Sequence, residues 1–358
     1  MQQRQAGPPA NGADVSERIP IDLALQGGGA HGAFTWGVMD RLLEDERIEI
    51  EGISGTSAGA MNGVVMADAL TRGDESTARQ ALREFWRAVS RAGMASPVRR
   101  TPLDVMTGNW SLEHSPGYIA LDLMSRVVSP YQFNPFNFNP LRDIVAEQVD
   151  FARVRACENL KLFVTATNVR SGKQRIFSRE EMSLDAVMAS ACLPTVFQAV
   201  EIDGEAYWDG GYMGNPSLSP LLHECSADDI LLVQITPMHR QELPTSAADI
   251  LNRLNEITFN TALIKEVRMI VMLQKLLGEH DIDIGCYRDA RLHHLSGDEP
   301  LSHLSVSSKL NAEWAFLCHL HDLGRETTEA WLAQHFEALG KHSTLDVERI
   351  FRETEAPR

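Results

Sequence analysis

Cysteine is scarce in this sequence, and long apolar runs are absent from it. Its 358 residues include five cysteines, an odd number, and none of them stands in a C-x-x-C pair. This usage argues against a disulfide framework and against a zinc site, so we expect no metal. No apolar run reaches the roughly 20 residues that a membrane-spanning helix needs. The sequence therefore predicts a soluble globular protein, and a reducing cytoplasm is the simplest location for it.

Positive charge is also in short supply. The chain carries 33 Lys and Arg residues against 49 Asp and Glu residues, a formal net charge of -16 at pH 7. This excess of acid disfavours nucleic acid as a partner and gives no overall attraction to an anionic membrane. A predicted amphipathic helix over residues 75–92 still carries a stripe of arginines, Arg79, Arg83, Arg87 and Arg91. Two interpretations stay open for this stripe, a solvated face and a transient contact with a membrane surface.

Residues 1–18 differ from the rest of the chain in composition. They are rich in Gln, Gly, Pro and Ala, and they contain no basic start followed by an apolar stretch of the kind found in a signal peptide. We therefore expect a disordered leader over residues 1–18, with the folded part of the chain beginning at residue 19.

A serine lies between a predicted strand and a predicted helix within residues 48–66. The turn is a G-x-S-x-G elbow, formed by Gly55, Thr56, Ser57, Ala58 and Gly59. In such an elbow the serine adopts a tight backbone conformation with its hydroxyl exposed, and its neighbours must be small. The positive end of the following helix favours an oxyanion beside that hydroxyl. Taken alone, the pentad predicts a catalytic nucleophile and a glycine-rich helix cap about equally.

A glycine-rich loop follows the first predicted strand, at residues 21–25, and precedes a predicted helix. The loop consists of Gly27, Gly28, Gly29, Ala30, His31 and Gly32. One use of such a loop is to direct backbone N–H groups at an oxyanion, as in the HGGG-type loops of esterases. The same spacing matches a dinucleotide fingerprint, with Glu49 and Glu51 near the distance of a ribose-binding acid. A nucleotide-binding protein therefore stays open as an alternative, although the second strand runs directly into the serine elbow.

A serine hydroxyl needs a base to become a nucleophile, and Asp209 is the best candidate. It follows a predicted hairpin over residues 201–208 with an Asp203-Gly204 turn, the strongest hairpin signal in the chain. Gly210 and Gly211 come directly after Asp209 and leave room for its carboxylate in a crowded site. For an isolated aspartate, the opening residue of an ordinary turn would be the more frequent interpretation.

Several motifs occur in a fixed order along the chain: the glycine loop, the serine pentad, and Asp209-Gly210-Gly211 with Asn215-Pro216 behind it. A further motif precedes the aspartate and consists of Ala189-Ser190-Ala191, Pro194 and Phe197. Together these motifs closely resemble those of the patatin-like phospholipases. The resemblance covers about residues 21–235 and is far more specific than any one of the motifs.

The resemblance implies an α/β fold, doubly wound, with a mostly parallel central sheet and helices on both faces. It implies a Ser-Asp dyad in which Ser57 is the nucleophile and Asp209 its direct base, with no metal or cofactor. The implied oxyanion hole consists of the backbone N–H groups of Gly28, Gly29 and Ala30. The implied supporting residues are Gly27, His31, Gly32, Gly210 and Gly211. The expected reaction is hydrolysis of a lipid acyl ester, of the phospholipase A or lysophospholipase type, through an acyl-enzyme.

Other functions and another mechanism stay open beside this one. The same dyad would serve an esterase, a thioesterase or a polyester depolymerase, and a scaffold protein could retain it without turnover. A Ser-His-Asp triad competes with the dyad, because His223 and His239 follow Asp209 in the order usual for α/β-hydrolases. His31 is expected to support the loop rather than to act as a base. The expected partner is a lipid or another acyl ester, and the oligomeric state is not predicted.

A region inside the proposed catalytic domain, residues 19–240, carries none of these motifs. Residues 93–140 contain many Pro, Asn and Ser residues with aromatics between them. A long connection of this type predicts a loop-like or lid-like insertion. Its aromatics would either bind substrate or fasten the loop to the core, and the sequence does not decide between the two.

The chain beyond residue 240 predicts a mainly helical C-terminal extension, residues 241–358, packed on the catalytic domain. The last core strand is expected at residues 230–235. The apolar spacing then predicts helices over residues 245–278, 311–322 and 327–339. Gly324 and Gly340 are placed as the stops of the last two helices.

Overall fold

A mixed β-sheet lies at the centre of the molecule. The structure, a computed structural model, describes residues 18–240, 243–280 and 289–346. The strands of this part are β1 (Ile19–Leu25), β2 (Ile48–Gly55), β3 (Lys161–Asn168), β4 (Gln174–Ser178), β5 (Val200–Ile202), β6 (Glu205–Asp209), β7 (Asp229–Gln234) and β8 (Arg291–Ser296). Their order is β5-β6-β3-β2-β1-β7-β8, with β4 paired to β3. The pairs β3-β2, β2-β1, β1-β7 and β7-β8 are parallel. The pairs β3-β4, β3-β6 and β5-β6 are antiparallel.

Helices connect and flank these strands. The α-helices of the described residues are α1 (Gly32–Leu43), α2 (Ala58–Arg72), α3 (Glu75–Gly93), α4 (Pro102–Met106), α5 (Pro116–Val127), α6 (Pro130–Phe133), α7 (Pro140–Gln148), α8 (Phe151–Ala156), α9 (Leu184–Ser190), α10 (Ser219–Glu224), α11 (Ala247–His280) and α12 (Trp314–His335). None of these helices combines the length and the apolar character needed to cross a membrane. The leader predicted over residues 1–18 lies, except for Arg18, outside the described residues.

Helices cover both faces of the sheet. Side chains alternate between the two faces along a strand, so neighbouring residues enter different cores. Leu23 and Leu25 of β1 belong to one core, together with residues of α1, α2, α3, α9 and α12. Ala24, between them, belongs to a second core that includes Leu263 and Val267 of α11. The predicted doubly wound α/β fold with a mostly parallel sheet is confirmed.

The insertion at residues 93–140 contains more helix than the sequence prediction allowed. It holds α4, α5 and α6, and each of them has a proline in its first turn. A proline at the first helical position lacks only an N–H that has no partner inside the helix, so it suits a helix start. Ser115 completes the start of α5, where its side chain accepts a hydrogen bond from the Tyr118 amide. Short helices thus occupy part of the segment for which a loop was predicted, and a lid-like role of the insertion stays a prediction.

The region after residue 240 contributes a strand that the sequence analysis missed. Strand β8 pairs in parallel with β7, from Asp229 against Arg291 to Gln234 against Ser296. Its sequence, RLHHLS, lacks the continuous apolar run that is typical of a buried parallel strand. His293 is nevertheless buried, with its Nε2 2.8 Å from Asp229 Oδ1. The division into a catalytic domain and an extension stays a prediction, but the sheet itself continues past residue 240.

Helix α12 is continuous, where the sequence analysis predicted two helices with a stop at Gly324. That prediction was wrong because Gly324 serves a close crossing of two helices. An ideal Cβ at Gly324 would lie 2.1 Å from the carbonyl O of Phe34 in α1. Any side chain at this position would therefore push α12 away from α1. Gly340 follows the last helical turn with a φ of 74°, in agreement with its predicted role as a stop.

Candidate active site

Three loops meet at the carboxyl edge of the sheet. Strand register places three residues of β1, β2 and β3 side by side, namely Leu25, Gly55 and Val164. Asp209, at the end of β6, lies opposite Ala166, two positions further along β3 than this row. Gly27 and Ser57 likewise follow the row by two positions. Register alone thus brings the glycine loop, the serine elbow and Asp209 to one level.

Ser57 occupies the turn between β2 and α2. Its backbone has a φ of 52° and a ψ of -115°, a conformation that residues with a side chain rarely adopt. The Ser57 amide donates a hydrogen bond of 2.9 Å to Ser190 Oγ. Gly59 allows β1 to pass close by, since an ideal Cβ there would lie 2.3 Å from the carbonyl O of Leu25. This strained turn has the features of a nucleophile elbow.

The other residues of the elbow fasten it to its surroundings. Thr56 Oγ1 donates a hydrogen bond of 2.7 Å to the carbonyl O of Gly214, in the segment that follows Asp209. Ala58 packs on Gly32 of the glycine loop, where an ideal Cβ would lie 2.5 Å from the Ala58 Cβ. The small residues of the two motifs are thus needed because strand, helix and loop touch each other here.

The glycine loop borders the same cavity as Ser57. Gly28, Gly29 and Ala30 all line that cavity. The start of the loop is fixed by the Gly27 amide, which donates a hydrogen bond of 2.7 Å to Asn215 Oδ1. Gly29 has a φ of 58°, in the left-handed region that favours glycine. The loop therefore reaches the cavity through backbone atoms, which an oxyanion hole requires.

His31 is directed away from the cavity. Its ring is buried, and its Nε2 lies 2.7 Å from Ser308 Oγ. Burial holds the pKa of His31 well below its usual value, so the ring is neutral at pH 7. The histidine thus joins the glycine loop to a segment near the C-terminal end of the described chain.

Asp209 is buried beside the elbow, with 3% of the residue exposed. Burial raises the pKa of its carboxyl to about 7, while hydrogen bonds from the Gly211 amide and the Ser57 hydroxyl act in the opposite direction. The Gly211 amide donates to Asp209 Oδ1 at 2.7 Å. Gly210 is required by a close contact, because an ideal Cβ there would lie 2.1 Å from the carbonyl O of Thr165. The structure thus brings the two predicted dyad residues within reach of each other.

A cavity of about 370 Å³ contains this site. Ser57 and Asp209 both line it, together with the glycine loop. Most of the remaining wall is apolar, and its large side chains include Met61, Phe85, Trp86, Ile144, Phe197 and Phe259. The cavity therefore offers an apolar space next to a serine, an acid and a loop of backbone amides.

Gln26 is a site residue to which the sequence analysis assigned no role. Its Oε1 accepts hydrogen bonds from the amides of Ile235 at 3.0 Å and Thr236 at 2.8 Å. Its Nε2 donates to Asn260 Oδ1 at 3.1 Å and to the carbonyl O of Asn215 at 3.2 Å. A buried glutamine thus fixes the loops after β1 and β7 to each other. The only sequence signal was a polar residue at the end of a buried strand.

Phe259 and Lys309 were also missed, and both line the cavity. They belong to the region after residue 240, outside every recognised motif. Phe259 packs against Gly211, whose ideal Cβ would lie 3.1 Å from its ring. No pattern in the sequence marks either residue, because only the folded chain brings them to the serine.

The histidines of the competing triad lie elsewhere. His223 is exposed, and the His239 side chain is 68% exposed with its Nδ1 4.0 Å from Asp298 Oδ2. Neither of them lines the cavity that holds Ser57. Within the described ranges, no group of three or more His, Cys, Asp or Glu residues is placed to hold a metal ion.

The two acids considered for a nucleotide site lie at the wrong end of their strand. Glu49 and Glu51 lie at the start of β2, whereas a ribose-binding acid belongs at the carboxyl end of that strand. Glu51 instead accepts hydrogen bonds from Ser226 and Lys161. The carboxyl end of β2 is occupied by the serine elbow.

The fold and the elbow define an α/β protein with a serine site at the carboxyl edge of its sheet. A family model described as Patatin-like phospholipase matches residues 23–222, more than half of the chain. The chain belongs to the patatin-like phospholipase family, whose members are lipid hydrolases. The resemblance inferred from the motifs is confirmed.

Solved structures similar to this chain include VipD and two structures that contain ExoU. VipD from Legionella pneumophila is 15% identical with a TM-score of 0.38, over 88% of this chain and 67% of that one. The type III effector ExoU is 14% identical with a TM-score of 0.35, over 89% and 54%. The ExoU–SpcU complex from Pseudomonas aeruginosa gives 18%, a TM-score of 0.31, and coverage of 90% and 61%. This chain thus spans between about half and two thirds of the chains it matches.

Proposed function

We propose that this protein is a serine acyl hydrolase that cleaves lipid acyl esters through an acyl-enzyme on Ser57, with Asp209 as its direct base. The observation that carries the proposal is the joint placement of Ser57, Asp209 and the glycine loop on one mostly apolar cavity. Family membership supports lipid hydrolysis as the general activity. The dyad and the type of ester are the more specific parts of the proposal.

The proposed reaction has two steps. In the first step, the Asp209 carboxylate takes the proton of the Ser57 hydroxyl while Oγ attacks the ester carbonyl carbon. The amides of Gly28, Gly29 and Ala30 stabilise the oxyanion, and the leaving alcohol receives the proton from Asp209. In the second step, water gives a proton to Asp209 and attacks the acyl carbon. The bond to Ser57 Oγ then breaks, and Oγ takes the proton from Asp209, which releases the fatty acid and restores both residues.

The environment of Asp209 suits this role. A general base works best when its pKa is near the working pH, because it is then both ionised and basic enough. Burial raises the pKa of Asp209 to about 7, well above that of an exposed aspartate. A carboxylate in this setting can take a proton directly from a serine without a histidine between them.

The apolar wall supports an acyl chain as the part of the substrate that enters the cavity. Phospholipase A and lysophospholipase activities both fit such a chain. Esterase, thioesterase and polyester depolymerase activities remain alternatives with the same dyad. Turnover of p-nitrophenyl esters of graded chain length, measured beside phospholipid vesicles, would rank these activities.

A test of the nucleophile uses a fluorophosphonate probe, which labels activated serines. We expect the wild type to be labelled and Ser57→Ala to be unlabelled and inactive. Ser171→Ala, an exposed serine in the turn after β3, is the matched control and should be labelled like the wild type. Labelling that persists in Ser57→Ala would exclude Ser57 as the reacting residue.

The proposal includes a transient contact with a lipid surface through the insertion. Its side chains Met106, Val127 and Phe136 are 84%, 77% and 94% exposed. The insertion also adjoins the cavity. Gln198 directly follows the lining residue Phe197. Its Nε2 donates a hydrogen bond of 2.8 Å to the carbonyl O of Asn134, which lies in the insertion. Exposed apolar side chains beside a cavity mouth are suited to an interface from which lipid is taken.

Vesicle co-sedimentation tests this contact. Phe136→Ser should lower the fraction of protein bound to phospholipid vesicles, because a large exposed ring is removed. Met272→Ser is the matched control, since Met272 is 64% exposed on α11, away from the insertion. Equal binding by the two variants would remove the insertion from the proposed lipid contact.

A cytoplasmic location is also part of the proposed function, and cell fractionation tests it.

A further inference from the structure

One charged side chain of the cavity has no part in the proposed reaction. Among the described residues that line the cavity, Asp209 has an acidic side chain and Lys309 a basic one. The rest of the wall consists of glycine, alanine, apolar side chains and a few neutral polar groups. Lys309 is therefore the feature of the wall that an acyl chain alone does not explain.

The position of Lys309 is set by its backbone. It belongs to the helical turn Val306–Leu310, which packs on the glycine loop. An ideal Cβ at Gly29 would lie 2.5 Å from the carbonyl O of Lys309, so the two backbones are in direct contact. The preceding residue, Ser308, is joined to His31 by a hydrogen bond of 2.7 Å. Lys309 thus lines the cavity from a fixed point beside the proposed oxyanion hole.

The Lys309 ammonium has neither a hydrogen bond nor an ion pair with any residue in the described ranges. Glu256 acts on it electrostatically, but this acid is already paired with Arg240 at 2.6 Å and with Arg253 at 3.1 Å. Burial lowers the pKa of Lys309, because the protein around it stabilises the charge less well than water does. An anion that entered the cavity would find a cation without a direct partner.

We propose that Lys309 forms an anion-binding subsite that holds a phosphate or carboxylate of the substrate a few bonds from the ester at Ser57. This inference rests on the proposed function, since it places the ester at Ser57. A lysine binds phosphate as a point charge, and the apolar wall provides no competing place for an anion. The substrate class that fits is an acyl ester with an adjacent anionic group, in preference to a neutral ester such as a diacylglycerol.

Lys309 also has a second effect, because its charge lowers the pKa of the Asp209 carboxyl. If this were its whole contribution, removal of the charge would slow the hydrolysis of every ester to the same degree. An anion subsite instead predicts a loss that depends on the charge of the substrate. The two roles are separated by a comparison of substrates.

The test uses the full chain and three substrates with the same acyl groups: dihexanoylglycerol, its phosphate ester and its hemisuccinate. In Lys309→Gln, we expect kcat/KM for the phosphate ester to fall about 10- to 100-fold more than kcat/KM for dihexanoylglycerol. An equally large extra loss with the hemisuccinate would assign the subsite to oxyanions in general. A loss confined to the phosphate ester would assign it to phosphate. Lys309→Arg, which keeps the charge, should recover part of the loss.

Equal losses with all three substrates, or no loss with any of them, would overturn the subsite. Lys341→Gln is the matched control, because Lys341 is exposed and paired with Glu337, and it should keep the wild-type ratios. Calorimetry with hexyl phosphate gives a readout without turnover, and the wild type should bind it at least about tenfold more tightly than Lys309→Gln. Hydrolysis of dihexanoylglycerol, with Ser57→Ala as the blank, tests the proposed function separately, so the two failures are distinguishable.

Discussion

The two parts of the chain that enclose the cavity contribute to it in different ways. Residues 23–222 bring Ser57, Asp209 and the glycine loop, and each of them follows directly from the end of a strand. The chain after residue 240 brings Phe259 and Lys309, from a long helix and from a short turn. The first part thus holds the groups proposed to react and most of the apolar wall, and the second part completes the wall with Phe259 and Lys309. We therefore expect changes in the first part to act on rate, and changes in the second part to act on stability and on substrate choice.

The largest effect is expected from Asp209→Asn. This change keeps the shape of the side chain and removes its ability to accept a proton, so kcat should fall about 100- to 10,000-fold. Thermal unfolding should occur at no lower temperature, because the variant no longer buries an ionisable group. Asp203→Asn is the matched control, since Asp203 lies in the exposed turn of the same hairpin and Asn tolerates its positive φ. A kcat within threefold of the wild type would contradict the dyad.

Gly324→Ala tests the contribution of the C-terminal part to stability. The added methyl group would meet the carbonyl O of Phe34, so the free energy of unfolding should fall by about 1–3 kcal/mol. Urea denaturation measures this change. Glu326→Ala, on the exposed side of the same helix, should stay within about 0.5 kcal/mol of the wild type. Equal stability of the two variants would mean that α12 and α1 do not cross at this glycine.

Phe259→Ala tests the apolar wall. Loss of the ring removes contact with the acyl chain, so kcat/KM for the best p-nitrophenyl ester should fall about tenfold, mainly through KM. The optimum should also move to a longer chain, because the cavity becomes larger. Leu254→Ala is the control on the same helix, where Leu254 is 53% exposed. An unchanged chain-length profile in Phe259→Ala would remove this residue from the acyl site.

The smallest effect is expected from a rise in pH above 7, which should at most double kcat/KM. The pKa of Asp209 is raised to about 7, so kcat/KM should be about half of its plateau near pH 7 and fall about tenfold per unit below it. Because this raised pKa lies above the unfolded value, the associated stability is present below about pH 4 and is lost as the pH rises to about 7. Asp209→Asn should lack this part of the stability profile. A midpoint of the kcat/KM profile near pH 4 would mean that the base is a different carboxyl group, or that the Asp209 carboxyl is exposed to water.

The first part of the chain was also the more predictable one from sequence. The glycine loop, the elbow and Asp209 have local signatures, because tight turns between strands and helices require particular small residues in a particular order. Gln26 was missed because its four hydrogen-bond partners come from distant segments. Strand β8 was missed because an Asp229 side chain on the neighbouring strand makes a buried histidine acceptable there. Gly324 was misjudged because a glycine that admits a neighbouring helix has the same letter as one that ends a helix.

The contact between Gly29 and the Lys309 backbone has a consequence for synthesis of the protein. A ribosome makes Ser57 and Asp209 long before it makes Lys309, and folding during synthesis proceeds from the N-terminal side. Until the turn at Val306–Leu310 has left the ribosome, the glycine loop lacks its support and the cavity lacks one wall. We therefore expect nascent chains that end before this turn to be catalytically silent although both dyad residues are present. Incomplete chains of such a lipid hydrolase would then not hydrolyse the lipids of the cell that makes them.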